Sequence, residues 1–153
     1  MFFQNKRSGA SKSYLMKNRK LSTDFPKDQS WQSAVMCVFF NTPQHLLFLL
    51  RSEDMPTHKG QMAFPGGHRR HEDHPLDVAL REWEEETHIP SEHLSILGYL
   101  PPVQTHRHMS IVPCIASCSF SLPTLSKEIF SNGEWVYAYS VSFETFHHPL
   151  WTI

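Results

Sequence analysis

The stretch LREWEEETHI, Leu80–Ile89, sets four glutamates, Glu82, Glu84, Glu85 and Glu86, around one tryptophan. Like charges three and four residues apart on a helix repel, by roughly 0.2–0.5 kcal/mol per pair. The stretch belongs to the clearest helix in the chain, Pro75 to about Thr87. Pro75 suits a first helical position, where an N–H would have no helical partner, and Asp77 lies in the first turn, where the dipole favours an acid. At helical spacing the side chains sort into three stripes. Leu76, Leu80 and Trp83 form an apolar stripe, and Trp83 is expected in the core. Asp77, Arg81 and Glu84 form an ordinary ion-pair face. Glu82, Glu85 and Glu86 put three carboxylates on one side with no lysine among them. That stripe reads either as a solvated acidic face or as a site where a hard divalent cation binds between carboxylate oxygens.

Working outward, Ala34 to Phe40 and Leu46 to Leu50 read as buried strands joined by a turn at NTPQ. Arg51 to Gly67 carries Pro56, Gly60, Pro65, Gly66 and Gly67 and reads as loop with one short strand. Ile96 to Leu100, Ile111 to Ala116 and Trp135 to Phe143 read as further strands. Strands on both sides of a helix predict an α/β or α+β domain.

The composition bounds the function. A chain of 153 residues with 40 % hydrophobic and 19 % charged residues is large enough for one domain with a real core. A formal net charge of -1 gives no support to a general nucleic-acid or membrane-surface binder. The apolar runs AVMCVFF and LLFLL are far too short to span a bilayer. Cys37, Cys114 and Cys118 sit in strand-like stretches and are expected as buried free thiols. His68, His71 and His74 are spaced by three, but no cysteine lies near to complete a zinc site; they read as exposed loop histidines. The first 23 residues hold six Lys/Arg and no acid, so residues 1–30 are expected as a basic, flexible extension ahead of a domain at 31–153. An organelle transit peptide is the alternative, and Met16 is a second candidate start. The expected location is the cytoplasm.

Gly67 to Ile89, GHRRHEDHPLDVALREWEEETHI, resembles the signature of the Nudix hydrolases: Gly, five residues, an acid, seven residues, then Arg-Glu-apolar-any-Glu-Glu-any-Gly-apolar. Gly67, Arg81, Glu82, Trp83, Glu85, Glu86 and Ile89 fall in register. Asp73 occupies the usual Glu position, and His88 stands where Gly is usual. Upstream, LFLLRSEDMPTHKGQMAFPGG is similar to the extra signature of the coenzyme A pyrophosphatase branch, through Arg51-Ser52, Gly60 and Phe64-Pro65-Gly66-Gly67, with His58 and Gln61 also alike. LGYLPPVQTHRHMSIVPCIA resembles the same branch. The resemblance runs from about Trp31 to Phe143.

The resemblance implies an α/β/α sandwich with a mixed β-sheet, its signature helix carrying the metal site. It implies that Glu82, Glu85 and Glu86 bind Mg²⁺ or Mn²⁺, with the Gly67 carbonyl a further ligand. In the catalytic set, Arg81 orients Glu84 or Glu85, Glu82 polarises the attacking water, and Glu85 joins them; Glu134 is a weaker candidate for base or ligand. Arg51, Ser52, His58, Gly66 and Gly67 form the expected substrate-binding set. For Arg51 the competing reading is an ion pair with Glu53 or Asp54. The implied reaction is metal-dependent hydrolysis of the pyrophosphate bond of coenzyme A or acyl-CoA, giving 3′,5′-ADP and (acyl-)4′-phosphopantetheine. The implied partner is a small nucleotide-type substrate, with no specific nucleic acid and no membrane, and a homodimer is admitted.

Some residues depart from the branch. Pro56 stands where it has Arg, Leu49 where it has Thr, and Arg70 where an acid is common. The ending HHPLWTI at Ile153 reads as a shortened C-terminus, since family members commonly continue through another helix and strand. Two alternatives therefore stand beside the coenzyme A reading. One is a Nudix hydrolase of another nucleoside diphosphate derivative, such as ADP-ribose, NADH or a nucleotide. The other is a catalytically silent, truncated nucleotide-binding module.

Overall fold

A computed structural model describes residues 22–23, 30–40, 45–105, 107–118 and 133–142. The basic segment before residue 22, the NTPQ turn, Phe143 and the HHPLWTI ending lie outside the described residues. The described strands form one eight-stranded mixed sheet. They are β1 (Ser33–Phe40), β2 (His45–Arg51), β3 (Met62–Ala63), β4 (Gly66–His68), β5 (Leu94–Tyr99), β6 (Val103–Gln104), β7 (Ser110–Cys118) and β8 (Trp135–Ser142). The helix α1 spans Pro75–Thr87, and a single 3-10 turn, Ser91–His93, follows it.

The α/β class and mixed sheet are as expected. β1 and β7 run parallel along their length, from Ser33↔Ile111 to Phe40↔Cys118, and every other pair of strands is antiparallel. Four strands extend one to three residues past the sequence-based bounds. The irregular stretch after Arg51 holds two short strands, β3 and β4, rather than one, and β6 was not anticipated. Strands of two or three residues carry too little period-2 pattern to be read from sequence. Ser22 bridges to Tyr99 at the edge of β5, with backbone bonds of 3.1 and 2.9 Å, so the chain already touches the sheet there.

β1 alternates its side chains between two cores. Ala34, Met36, Val38 and Phe40 face α1 together with Leu47, Leu49, Val112 and Trp83, whereas Cys37 and Phe39 join Leu46 and Ile115 on the other face. Burial on both faces explains why β1 reads as an unbroken apolar run. All three cysteines are buried and none forms a disulfide. Burial pushes the Cys37 thiol up to about 12, and burial followed by Cys37 does the same to Cys114, so neither is an ionised nucleophile near neutrality.

The sheet splits at one place. β2 pairs with β1 only at Phe39↔Leu46 and Phe40↔His45; the other half of β1 pairs with β4, and β3 pairs with β2 at Leu49 and Leu50. The β3–β4 segment thus fills the fork between diverging strands, and the candidate site lies there.

Candidate active site

α1 begins at Pro75, after an extended His74, and ends at His88 in the left-handed region (φ 55°), whose amide donates to the Glu84 carbonyl at 3.0 Å. Its buried residues are Pro75, Val78, Ala79, Trp83, Glu86 and Thr87; Leu76 and Leu80 are only partly buried against the core. This corrects the expected apolar stripe. The buried arc is wider than Leu76, Leu80 and Trp83 and it includes Glu86. The carboxylate stripe is therefore not a solvated face. Trp83 is fully buried, as expected.

Glu86 is 7 % exposed. Its Oε2 accepts the Gly66 amide at 3.0 Å and its Oε1 accepts the Trp135 indole N–H at 3.0 Å. Burial pushes its carboxyl up to about 8; the two hydrogen bonds pull downward, and the charges of Glu82 and Glu134 add to the rise. Glu82 has a side chain 12 % exposed and accepts Arg81 Nη1 at 2.6 Å. Glu85 is more open and accepts from Arg81 at 3.2 Å and from Arg70 at 3.4 Å.

Arg81 is the hub of the loop–helix unit. Besides Glu82 and Glu85 it donates to Glu72 Oε1 at 2.7 Å and to the His68 carbonyl at 3.1 Å. Desolvation opposes its charge, but the hydrogen bonds it donates to Glu72 and Glu82 win and raise its pKa further. Glu72 also accepts the amides of Arg70 at 2.7 Å and His71 at 3.0 Å. Against the upward push of desolvation, these bonds and Arg81 hold it at about 2. Two expectations change here. Asp73, at the signature's acid position, is 89 % exposed and 3.9 Å from Arg69, while its neighbour Glu72 binds Arg81. Glu84 is not an Arg81 partner; it accepts the Ser91 amide at 2.7 Å, which lowers its pKa.

A cleft of about 710 Å³ opens at the split in the sheet. Glu82, Glu85 and Glu86 line it together with Arg51, His58, Gln61, Gly66, Gly67, Arg70 and Glu134. The two stretches singled out in the sequence thus line one cavity and meet where Gly66 and Gly67 lie against Glu86 and Glu82. Arg51 pairs with Glu134 at 2.5 Å, not with Glu53 or Asp54, and its Nε donates to the Thr57 carbonyl at 3.0 Å. His58 adopts a positive φ of 57°, with Nδ1 3.0 Å from Gln61 Oε1. Ser52 does not line this cleft. It is 5 % exposed, its hydroxyl accepts the Asp54 amide at 3.2 Å, and its amide donates to the Glu134 carbonyl at 2.8 Å.

The glycines are required by close approach. A Cβ on Gly66 would lie 2.5 Å from the Ala34 carbonyl oxygen and 2.7 Å from Val35 Cα, and one on Gly67 would run into the Glu82 carboxylate. The Gly67 carbonyl accepts the Ser33 hydroxyl at 2.5 Å. Sequence reading missed Glu72 and Trp135 as site residues. For Glu72 the one signal was an acid next to the signature position; for Trp135 there was none.

Among the described residues no three His, Cys, Asp or Glu side chains converge into a closed metal cage. His68, His71 and His74 are exposed, as expected. The carboxylates nonetheless fit a hard cation. Mg²⁺ is commonly held by one or two carboxylates plus water and substrate phosphates, and Glu86 is an acid whose charge is disfavoured by burial, which a bound cation would offset. Among the described residues no helix is long and apolar enough to cross a membrane.

Comparison with known proteins agrees with this geometry. Residues 30–143 match the NUDIX domain family. The chain is 38 % identical over 92 residues to the uncharacterized Nudix hydrolase NudL of Pectobacterium atrosepticum, covering 59 % of this chain and 48 % of that protein. It is 36 % identical over 99 residues to NudL of Escherichia coli, covering 63 % and 52 %. The chain thus spans about half the length of these relatives. Its fold is similar to a C. elegans Ap4A hydrolase binary complex (TM-score 0.59, 18 % identity, 76 % of this chain and 84 % of that one). It is also similar to the NUDIX domain of Shewanella oneidensis NrtR complexed with ADP ribose (TM-score 0.52, 15 % identity, 90 % and 87 %). Identities this low speak for the fold alone. With the family match running through the residues that line the cleft, the chain belongs to the Nudix family.

Proposed function

We propose that this chain hydrolyses the pyrophosphate bond of a nucleoside diphosphate derivative with the help of a divalent metal, and that the derivative is coenzyme A or an acyl-CoA. One observation carries the reading: Glu82, Glu85 and Glu86 share a cleft with Arg51, His58, Gln61 and the Gly66-Gly67 turn. The first three belong to the Nudix signature, and the others fall in the stretch that resembles the coenzyme A branch signature. The products are 3′,5′-ADP and (acyl-)4′-phosphopantetheine.

Glu82, Glu85 and Glu86 would hold Mg²⁺ or Mn²⁺, which screens phosphate charge and acidifies a bound water. The chain's own residues supply the rest. Arg81 positions Glu82 and Glu85 from behind, without itself lining the cleft. With Oε1 held by Arg81, Glu82 takes the proton of the attacking water on Oε2. Gly66 and Trp135 fix Glu86 in one orientation. Arg51 and His58, which line the same cleft, would hold the substrate, and the chemistry relies on positioning and electrostatics.

A second reading keeps the chemistry and changes the ligand to ADP-ribose or a related diphosphate; the NrtR domain complexed with ADP ribose has the same fold. Product analysis by mass spectrometry tests both, with Mg²⁺ or Mn²⁺ and coenzyme A, ADP-ribose and NADH as substrates. Adenosine 3′,5′-bisphosphate with 4′-phosphopantetheine supports the first. Cleavage of ADP-ribose or NADH alone moves the assignment to the second. Glu82→Gln should abolish turnover in either case, and unchanged turnover would overturn the assigned role of Glu82.

A further inference from the structure

Two arginines line the cleft, and they are held very differently. Arg51 is committed. It pairs with Glu134 at 2.5 Å, donates to the Thr57 carbonyl, lies 5.4 Å from the Trp135 ring centre, and has a side chain 18 % exposed. Arg70 is loosely held. Among the described residues the only partner of its guanidinium is Glu85, through two contacts that are both 3.4 Å, longer than ordinary hydrogen bonds. Its side chain is 57 % exposed. Its backbone is pinned instead, because the Arg70 amide donates to Glu72 Oε2 at 2.7 Å and Glu72 is locked to Arg81. Arg70 is thus a guanidinium fork with a fixed root and a weakly bound tip.

Charge balance gives this arrangement a use. Four carboxyl groups, Glu82, Glu85, Glu86 and Glu134, line the cleft against two guanidiniums. Arg51 is paired with Glu134, and Arg81, from outside the lining, bonds Glu82 at 2.6 Å and Glu85 at 3.2 Å, so the 3.4 Å Arg70 contact is the longer of the two on Glu85. An anionic diphosphate entering such a cleft needs a cation on the carboxylates and a further positive group of its own. Arg70 lies beside Glu85, and its planar fork matches two phosphate oxygens.

We propose that Arg70 is an exchangeable counter-ion: it shares Glu85 with Arg81 in the metal-free site and, as the more exposed of the two arginines, passes its fork to a phosphate of the substrate once a divalent cation engages Glu85. This rests on the reading of the cleft as a metal-assisted diphosphate site. It makes Arg70 a competitor of the metal and a partner of the substrate, so removing it has effects of opposite sign.

The test is isothermal titration of wild type and Arg70→Gln with two probes. The first is Mn²⁺ alone. The second is imidodiphosphate in the presence of Mn²⁺, since its P–N–P bridge resists hydrolysis. Arg70→Gln should bind Mn²⁺ about two- to fivefold more tightly, the span of a lost exposed ion pair. It should bind imidodiphosphate about tenfold more weakly, as expected for a lost charge-assisted contact. Arg70→Lys should recover part of the second effect, keeping the charge without the fork. Structural damage would weaken both probes together, so unchanged or weaker Mn²⁺ binding by Arg70→Gln overturns the counter-ion role. Unchanged imidodiphosphate binding overturns the phosphate role. If wild type itself binds no Mn²⁺, the metal-site reading falls, and the inference about Arg70 falls with it.

Discussion

The indole N–H of Trp135 donates to Glu86 Oε1 across 3.0 Å, joining strand β8 to the last turn of the acidic helix. The residues are 49 apart in sequence. This bond and the Gly66 amide give a buried carboxylate a partner for each oxygen. Trp135→Phe should keep the ring packing and lose the donor. With the Glu86 carboxyl pushed up to about 8 it is largely neutral near neutrality, where such a bond is worth about 0.5–1.5 kcal/mol, and unfolding in urea should show a loss of that order. A loss below about 0.5 kcal/mol would mean that water replaces the indole.

Glu72 yields a pH prediction. It is held at about 2, below the ordinary 4.5, so its contribution to stability is fully present above about 4.5 and fades as pH falls from there to about 2. Glu72→Gln should therefore be less stable than wild type near neutrality. The gap should shrink as the pH is lowered through that window. Denaturant midpoints measured near neutrality and at about pH 3 check this; a gap of constant size would show that the carboxylate charge is not what holds Arg81. The exposed Asp73→Asn should stay within about 0.5 kcal/mol of wild type.

The adjacent glycines should fail in different ways. A methyl on Gly66 meets the backbone of Ala34 and Val35, which cannot move aside, so Gly66→Ala should destabilise by about 1–3 kcal/mol. A methyl on Gly67 meets only the end of the Glu82 side chain, which can move. Gly67→Ala should remain folded but displace Glu82 and lower turnover by about tenfold or more. Circular dichroism melts beside activity measurements separate the two, and equal melting-temperature losses would contradict the distinction.

His88 ends α1 with φ at 55°, a conformation that costs a side chain roughly 1–2 kcal/mol and a glycine almost nothing. His88→Gly should stabilise the protein by about 1 kcal/mol with little effect on turnover. A lower melting temperature would show that the imidazole makes a compensating contact.

Much of this protein was legible in its residues. α1 could be read because Pro75, Asp77 and the apolar stripe Leu76, Leu80 and Trp83 all favour one helix, and β1 and β7 because long apolar runs bounded by polar residues have few other homes. The carboxylates of α1 stood out because such a stripe is costly unless something binds it. Of the short strands, one was expected between Arg51 and Gly67 where two form, and β6 was not read at all, since β3 and β4 take their pairing from the fork between β1 and β2 and β6 takes its pairing from β7.

The sequence by itself determined the family, the helix and the three glutamates of the stripe, because local spacing alone arranges side chains on a helix. Only the tertiary structure decided which groups control those glutamates. Which of two adjacent acids meets Arg81 depends on how the 69–74 loop turns, and Glu72, not Asp73, points inward. Arg51 meets Glu134, 83 residues away, because β2 pairs with β8, and the same strand carries Trp135 to Glu86 of α1, 49 residues before it. Charge and hydrogen bonding act through space, so a contact of that kind has no trace in local pattern until the sheet brings its two ends together.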